Sequence, residues 1–122
     1  MNHSHSNTKS LSAALTPEMQ ACIEACLRCM TACNLCYRAC LEEEHLEMMR
    51  DCIRLDRECA ELCEFAAKTM QIGAAYAKDI CRACADMCQA CGDECAKHEA
   101  AHCKECADAC YACAEACRKM AA

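Results

Sequence analysis

The chain has 122 residues, a formal net charge of −6 and 19 cysteines, with only two glycines and one proline. This length fits a single domain, and its many alanines and few helix breakers favour helices around a narrow core of small residues. Acidic and basic residues are interspersed, so no basic patch indicates nucleic-acid binding. No apolar run reaches membrane-spanning length, so we expect no membrane partner.

Residues 1–15 are predicted to be a flexible tail that precedes the folded domain. The tail is polar and has neither an apolar signal region nor a twin arginine, so we expect a cytoplasmic protein whose thiols stay reduced. Met1-Asn2-His3 is a weak Cu(II)-binding motif at a free amino terminus, and a disordered tail is the favoured interpretation there.

The first helix is predicted to begin at Thr16-Pro17-Glu18, where a Thr N-cap precedes proline at the first helical position. It should run to about Leu41. Alternating steps of four and three residues keep one stripe of a helix facing a partner helix. The cysteines on this stripe are Cys22, Cys26, Cys29, Cys33, Cys36 and Cys40.

The second helix, about 45–71, keeps the same period with fewer thiols. We expect its Leu55 and Leu62 to supply much of the ordinary hydrophobic packing, and Gly73 to mark the next turn. The residues assigned to its inner face or beside it are His45, Met48, Cys52, Leu55, Cys59, Leu62, Cys63 and Ala66.

The third and fourth helices are predicted at about 75–97 and 100–120. Their cysteines again follow the four-three alternation: Cys81, Cys84, Cys88, Cys91 and Cys95, then Cys103, Cys106, Cys110, Cys113 and Cys117. Short linkers make consecutive helices antiparallel. The predicted fold class is therefore all-α, an antiparallel up-down-up-down four-helix bundle with a cysteine-lined core, formed by residues 16–122.

Four kinds of chemistry could explain so many cysteines. A disulfide scaffold is disfavoured because the count is odd and cysteines four apart on one helix are too far apart for a disulfide. Iron–sulfur clusters are an alternative, although the ferredoxin spacing is missing. Zinc or a general thiol buffer is another, but helices should present thiols as a ladder rather than as converging tetrahedral sites.

Copper(I) is the favoured cargo because soft thiolates select it. It accepts two ligands, and thiols three or four positions apart on one helix can reach a shared ion. If thiolates bridge successive ions, the buried charge approaches neutrality, which predicts roughly 15–20 Cu(I) per chain. All 19 cysteines named above are candidate ligands, with the ions as the only expected cofactor.

One end of the predicted bundle collects histidine and methionine. These residues are His45, Met48, Met49, His98 and His102. We expect copper to be loaded there through ligands weaker than thiolate, with His45, Met48, His98 and His102 as the site residues. The opposite end carries an expected apolar plug of Met19, Met70, Ile72, Tyr76 and Met120.

His98 to His102 also spells H-E-A-A-H, the letters of a zinc-protease helix. The motif requires a continuous helix, and these residues fall in the predicted turn between helices three and four. With no other catalytic constellation in the sequence, we expect the protein not to be an enzyme.

The pattern resembles the bacterial copper storage proteins, which are four-helix bundles filled with cysteine. The segments that carry the resemblance are CIEACLRCMTACNLCYRAC, DCIRLDRECAELC, ICRACADMCQACGDEC and HCKECADACYACAEAC, and it covers about residues 17–122. It implies Cu(I) stored by cysteines, a His/Met-lined end, a homotetramer and the cytosolic branch of the family. Leu27 and Leu35, outside the inner stripe, are compatible with a subunit interface. A copper chaperone or efflux system would be the expected partner.

Overall fold

The computed structural model of the protein describes residues 10–122, so Met1-Asn2-His3 lies outside the described part. That part contains four α-helices: α1 Pro17–Cys40, α2 Arg50–Gln71, α3 Ala77–Ala96 and α4 Ala101–Ala121. A short 3-10 helix, Leu11–Ala14, precedes α1, and a second one, Leu46–Met49, leads directly into α2. The predicted helices therefore exist, with ends within a few residues of the expected positions.

The helix ends follow from local sequence. Thr16 caps α1 by accepting a hydrogen bond from the backbone N–H of Met19 at 3.1 Å, with Pro17 at the first helical position. After α2 the chain turns at Gly73, whose φ of 69° is in the left-handed region. Glycine takes up that conformation without the steric cost that a side chain would add.

The helices pack as an antiparallel bundle in which α1 contacts α2 and α4, and α3 contacts the same two helices. The predicted fold class is confirmed. Buried positions are filled mainly by cysteine and alanine, so the core is narrow. No helix among the described residues is both long enough and apolar enough to span a membrane.

The inner face of α2 differs from the predicted one. Leu55 and Leu62 are only partly buried and pack at the flank of the core. The residues that face inward are Cys52, Asp56, Cys59, Cys63, Ala66 and Met70. The inward-facing residues still follow steps of four and three, but Asp56 and Cys63 take the places predicted for Leu55 and Leu62. The narrow core accommodates thiols and alanines at its centre, and the bulkier leucines pack at its flank.

The segment before α2 also departs from the expected helix. Residues 41–45 form a turn, and His45 directly precedes the 3-10 helix instead of occupying a helical seam. Its side chain is 72% exposed. The heptad register therefore does not extend back to His45, because the chain must reverse direction between Cys40 and Arg50.

At the opposite end of the bundle, the expected plug is smaller than predicted. Met70 is fully buried, and Met19 and Met120 are partly buried against the core. Ile72 and Tyr76 are largely exposed. The methionines therefore close this end, while the two larger side chains lie on the surface.

Candidate metal centre

All 19 cysteines are buried and none forms a disulfide. Most of their sulfur atoms lie in contact with another sulfur, at Sγ–Sγ distances between 3.4 Å and 4.0 Å. The structure therefore has free thiols at the positions where a disulfide scaffold was disfavoured. The sulfur contacts run along the interior, and the buried carboxyl group of Asp56 connects Cys95 to Cys91 and Cys106.

Thiols four residues apart on one helix are close enough to share an ion. The Sγ–Sγ distance is 4.0 Å for Cys29 and Cys33 and 3.9 Å for Cys36 and Cys40. Three sulfurs at about 2.3 Å from one metal in a trigonal plane are about 4.0 Å apart, and two sulfurs in a line are about 4.6 Å apart. The spacing therefore suits three-coordinate binding as it stands and two-coordinate binding after small rotations.

Sulfurs on different helices approach each other at least as closely. Cys52 of α2 lies 3.4 Å from Cys95 of α3, and Cys26 of α1 lies 3.7 Å from Cys117 of α4. Contacts also cross the diagonal of the bundle, as between Cys29 and Cys88 at 3.9 Å. The row of thiols expected along each single helix is therefore one part of a three-dimensional set of sulfur contacts between helices.

Among these contacts, groups of four thiols have their sulfurs within 4.8 Å of one another. Four such groups are Cys26, Cys84, Cys113 and Cys117; Cys29, Cys63, Cys88 and Cys113; Cys29, Cys33, Cys59 and Cys110; and Cys33, Cys91, Cys106 and Cys110. The prediction that the helices present their thiols as a ladder rather than in converging groups is therefore wrong. It treated each helix alone, whereas the second group takes one thiol from each of the four helices.

Neighbouring groups share their members. Cys29, Cys33, Cys110 and Cys113 each belong to two of these groups. A sulfur in two groups can bridge two ions, whereas separate four-ligand sites would need sixteen different thiols for four ions. The geometry therefore favours a polynuclear thiolate cluster over a set of isolated sites.

Asp56 of α2 is the one acidic residue that is fully buried among residues 10–122. The thiols of Cys91 and Cys106 donate hydrogen bonds to its Oδ1, each at 3.4 Å, and Cys95 donates at 3.6 Å. Burial is the main cause of a rise in the pKa of Asp56 to about 10. Asp56 is therefore a neutral carboxyl group in the metal-free core at neutral pH.

Sequence reasoning missed Asp56, although the sequence contains a signal for it. Asp56 lies four residues after Cys52 and three before Cys59, so it falls on the same four-three alternation as the cysteines. An acidic residue is rarely buried without a partner, which is why the pattern alone did not suggest it. The surrounding thiol donors satisfy its oxygens.

His102 joins three thiols at the histidine end, which is the end of the bundle that carries His45, His98 and His102. Its Nδ1 lies 3.3 Å from the sulfur of Cys36 and 3.6 Å from that of Cys103. One group of candidate metal ligands consists of Cys36, Cys40, His102 and Cys103. On the other side of the ring, Nε2 lies 2.8 Å from a carboxylate oxygen of Glu43.

The other residues predicted at the histidine end are placed differently. His98 is partly buried, and its Nε2 lies 3.0 Å from Glu94. His45 faces solvent near Glu47 at 4.0 Å, and Met48 is 66% exposed. The structure therefore brings His102 into direct contact with the thiols and leaves His45 and Met48 at the surface.

A groove between α1 and α4 leads to this group from the side of the bundle. It has a volume of about 370 Å³, and its lining includes Cys36, His102 and Cys106, with Arg28 and Glu105 among the remaining residues. His102 can therefore be reached from solvent.

Burial also affects the charge of Cys40 and Cys103 at this end. Loss of hydration is the main cause of a rise in the pKa of Cys103 to about 12 and of a rise in the pKa of Cys40. Both are therefore protonated at neutral pH. A metal ion that binds here has to displace protons.

The H-E-A-A-H segment does not lie on a helix. Helix α3 ends at Ala96 and α4 begins at Ala101, so His98 and His102 belong to different elements. The helical context that the zinc-protease motif requires is missing, as the sequence predicted.

Comparisons with known proteins agree with this picture. A family model described as copper storage protein matches residues 15–122. Among solved structures, the Cu(I)-bound copper storage protein BsCsp3 is 55% identical, with a TM-score of 0.83 over 86% of this chain and 99% of that one. Apo-Csp3 from Bacillus subtilis is 57% identical, with a TM-score of 0.81 over 84% and 98%.

A third structure is the copper storage protein Ccsp from Streptomyces lividans, loaded with 10 copper equivalents. It is 38% identical and has a TM-score of 0.85 over 93% of this chain and 91% of that one. No curated protein sequence matches the chain.

Proposed function

The chain belongs to the copper storage protein family, and from that membership we propose that it stores many Cu(I) ions on the cysteine thiolates inside its bundle. The observation that carries the proposal is the set of 19 buried thiols that fills the interior, most of them 3.4–4.0 Å from another sulfur. Two of the solved relatives are described as copper-bound or copper-loaded. All 19 cysteines are proposed as ligands.

Shared thiols favour copper over the alternative cargoes. Bridging by residues such as Cys29 and Cys110 lets the number of ions approach the number of thiolates, so that the positive and negative charges in the dry core nearly cancel. A divalent ion at each four-thiolate site would leave two uncompensated negative charges per ion. Iron–sulfur clusters and a zinc buffer are therefore not favoured, and the capacity we propose is roughly 15–20 Cu(I) per chain, by this charge balance.

Loading is proposed at the histidine end. His102 supports this role because its Nδ1 contacts two thiols while its side chain remains 24% exposed. His98 is proposed to assist from its partly buried position. For His45 and Met48, the proposed role is limited to a first, solvent-exposed contact with the ion.

The wider setting follows from the family resemblance. We propose a cytoplasmic, non-enzymatic protein that assembles as a homotetramer and exchanges copper with a chaperone or an efflux system. Leu27 and Leu35 support a subunit contact, because both are apolar and exposed on the outer side of α1, Leu35 to 58%. Residues 16–122 form the proposed storage domain.

Anaerobic titration of the reduced protein with Cu(I), against a coloured chelator that competes for the ion, tests this function. We expect copper to be withheld from the chelator up to roughly 15–20 equivalents, by the same charge balance. Saturation at one or two equivalents would contradict storage. Zinc titrated in parallel should saturate far earlier, since each zinc ion needs about four thiolates.

A further inference from the structure

The contact between Glu43 and His102 has a consequence for how copper is loaded. We propose that Glu43 is a positioning residue that fixes the His102 imidazole in the one tautomer that can pass Cu(I) to the thiol core. This inference rests on the proposed function, because it concerns the loading of the same site. Glu43 lies in the turn after α1 and was not among the residues that the sequence analysis selected.

The hydrogen bond from His102 to Glu43 determines which ring nitrogen carries the proton. Nε2 lies 2.8 Å from Oε2 of Glu43. A carboxylate only accepts hydrogen bonds, so Nε2 carries the hydrogen and donates it. In the neutral imidazole, Nδ1 then has a free lone pair.

That lone pair faces the thiol core. Nδ1 lies 3.3 Å from the sulfur of Cys36 and 3.6 Å from that of Cys103. An ion bound at Nδ1 would therefore lie next to the sulfurs of Cys36 and Cys103 and could pass to them directly. The opposite tautomer would point an N–H at the same sulfurs and place its lone pair on Nε2, on the side of Glu43.

Glu43 is itself held in place relative to the core. Its backbone N–H donates to the carbonyl oxygen of Cys40 at 3.1 Å, and Cys40 is a member of the same candidate ligand group as His102. This backbone hydrogen bond therefore fixes Glu43 relative to Cys40 and so relative to the ligand group that contains His102. Removing a carboxylate that orients a metal-binding histidine from its far side commonly lowers metal affinity or activity by about 10–100-fold. We expect an effect in the same range here.

The test compares four variants with the parent protein. Glu43→Ala removes the acceptor, whereas Glu43→Gln keeps an amide oxygen that can accept from Nε2. Glu42→Ala and Glu44→Ala remove neighbouring carboxylates that are exposed in the same turn, and they serve as matched controls for the loss of negative charge.

Two quantities are measured anaerobically on each variant. One is the rate at which less than one equivalent of Cu(I) is withdrawn from a coloured chelator complex in a stopped-flow instrument. The other is the tautomer of His102 in the metal-free protein, from the 15N shifts of its two ring nitrogens, assigned with the help of His102→Ala.

We expect Glu43→Ala to load about tenfold or more slowly and to lose the pure Nε2–H tautomer. Glu43→Gln, Glu42→Ala and Glu44→Ala should keep the parent's tautomer and a rate close to the parent's. The total copper bound at saturation should be unchanged in all four variants, because every thiol is retained.

The inference is overturned if Glu43→Ala loads as fast as the parent or keeps its tautomer, or if Glu42→Ala and Glu44→Ala slow loading equally. A failure of the proposed storage function would look different, since the parent itself would then bind few ions. The tautomer measurement would still test the role of Glu43 in that case.

Discussion

Asp56 of α2 and Cys106 of α4 meet in the interior of the bundle, where the Cys106 thiol donates a hydrogen bond to a carboxyl oxygen of Asp56 at 3.4 Å. The contact puts a carboxyl group with a strongly raised pKa among buried thiols. This arrangement affects the stability of the metal-free protein, because the carboxyl group must take up a proton when the chain folds.

Replacing Asp56 by asparagine should make the metal-free protein more stable at neutral pH and less sensitive to pH. The unfolded carboxyl group loses its proton above about pH 4, whereas the folded one keeps it up to a pKa of about 10. Folding therefore takes up a proton between these values, and the free energy of unfolding of the parent falls as pH rises, by at most about 1.4 kcal/mol per pH unit. An asparagine side chain at this position would have no proton to gain and could still accept from the thiols.

Urea unfolding of the reduced, metal-free parent and of Asp56→Asn at several values between pH 5 and pH 8 measures this effect. The difference in unfolding free energy, variant minus parent, should grow steadily with pH. Contributions from groups that do not contact Asp56 cancel in that difference because both proteins share them. Parallel pH profiles for the two proteins would contradict the assignment of a neutral Asp56.

Copper binding should release protons and strengthen as pH rises. Thiols such as Cys103, whose pKa burial raises to about 12, are protonated in the metal-free protein, and Cu(I) binds thiolates. With about one thiolate formed per ion, we expect about one proton released per copper. A pH indicator in weakly buffered, anaerobic solution measures this release, with addition of the same copper to the chelator alone as the control. Binding without proton release would mean that the core already holds thiolates.

Gly92 of α3 provides the space in which Tyr111 of α4 packs. A Cβ at position 92 would lie 2.8 Å from Cε1 of Tyr111 and 3.2 Å from the Cβ of Cys110. Tyr111 also donates a hydrogen bond to Asp93 at 2.8 Å, so displacing its ring breaks that contact. We expect Gly92→Ala to destabilise the protein by about 1 kcal/mol, since overpacking of about 1–3 kcal/mol outweighs a helix-propensity gain of about 1 kcal/mol.

A double-mutant cycle separates these two contributions. In a Tyr111→Ala background the ring is absent, so Gly92→Ala should become neutral or stabilising. Thermal unfolding of the metal-free parent, both single variants and the double variant provides the four measurements. If Gly92→Ala has the same effect with and without the tyrosine ring, the clash does not determine the choice of glycine.

The proposed tetramer makes a prediction about the outer side of α1. Leu27 and Leu35 lie two helical turns apart on an exposed face, and a charge buried in an interface is costly. Leu35→Glu should therefore shift the assembly to smaller species in analytical ultracentrifugation. Ile72→Glu, also an exposed apolar position but at the opposite end of the bundle, is the matched control and should leave the assembly unchanged. An unchanged assembly for Leu35→Glu would exclude this face from the interface.

The amino-acid sequence by itself determined the helices, their antiparallel order and the chemical character of the core. The Thr16-Pro17 start, the Gly73 turn and the four-three spacing of the cysteines are local signals, and each depends on residues close together in the chain. They are sufficient to show that one stripe of every helix carries thiols. They are also sufficient to predict the end of the bundle at which the histidines gather.

Only the tertiary structure decided how these stripes meet. Four features depend on residues that are distant in the sequence. They are the phase of α2, the burial of Asp56, the thiol groups drawn from four helices and the contact of His102 with Glu43. A periodic pattern fixes which side of a helix is apolar, but the rotation and separation of the helices decide which atoms converge. In a core of small side chains, those separations become short enough for sulfurs on opposite helices to touch.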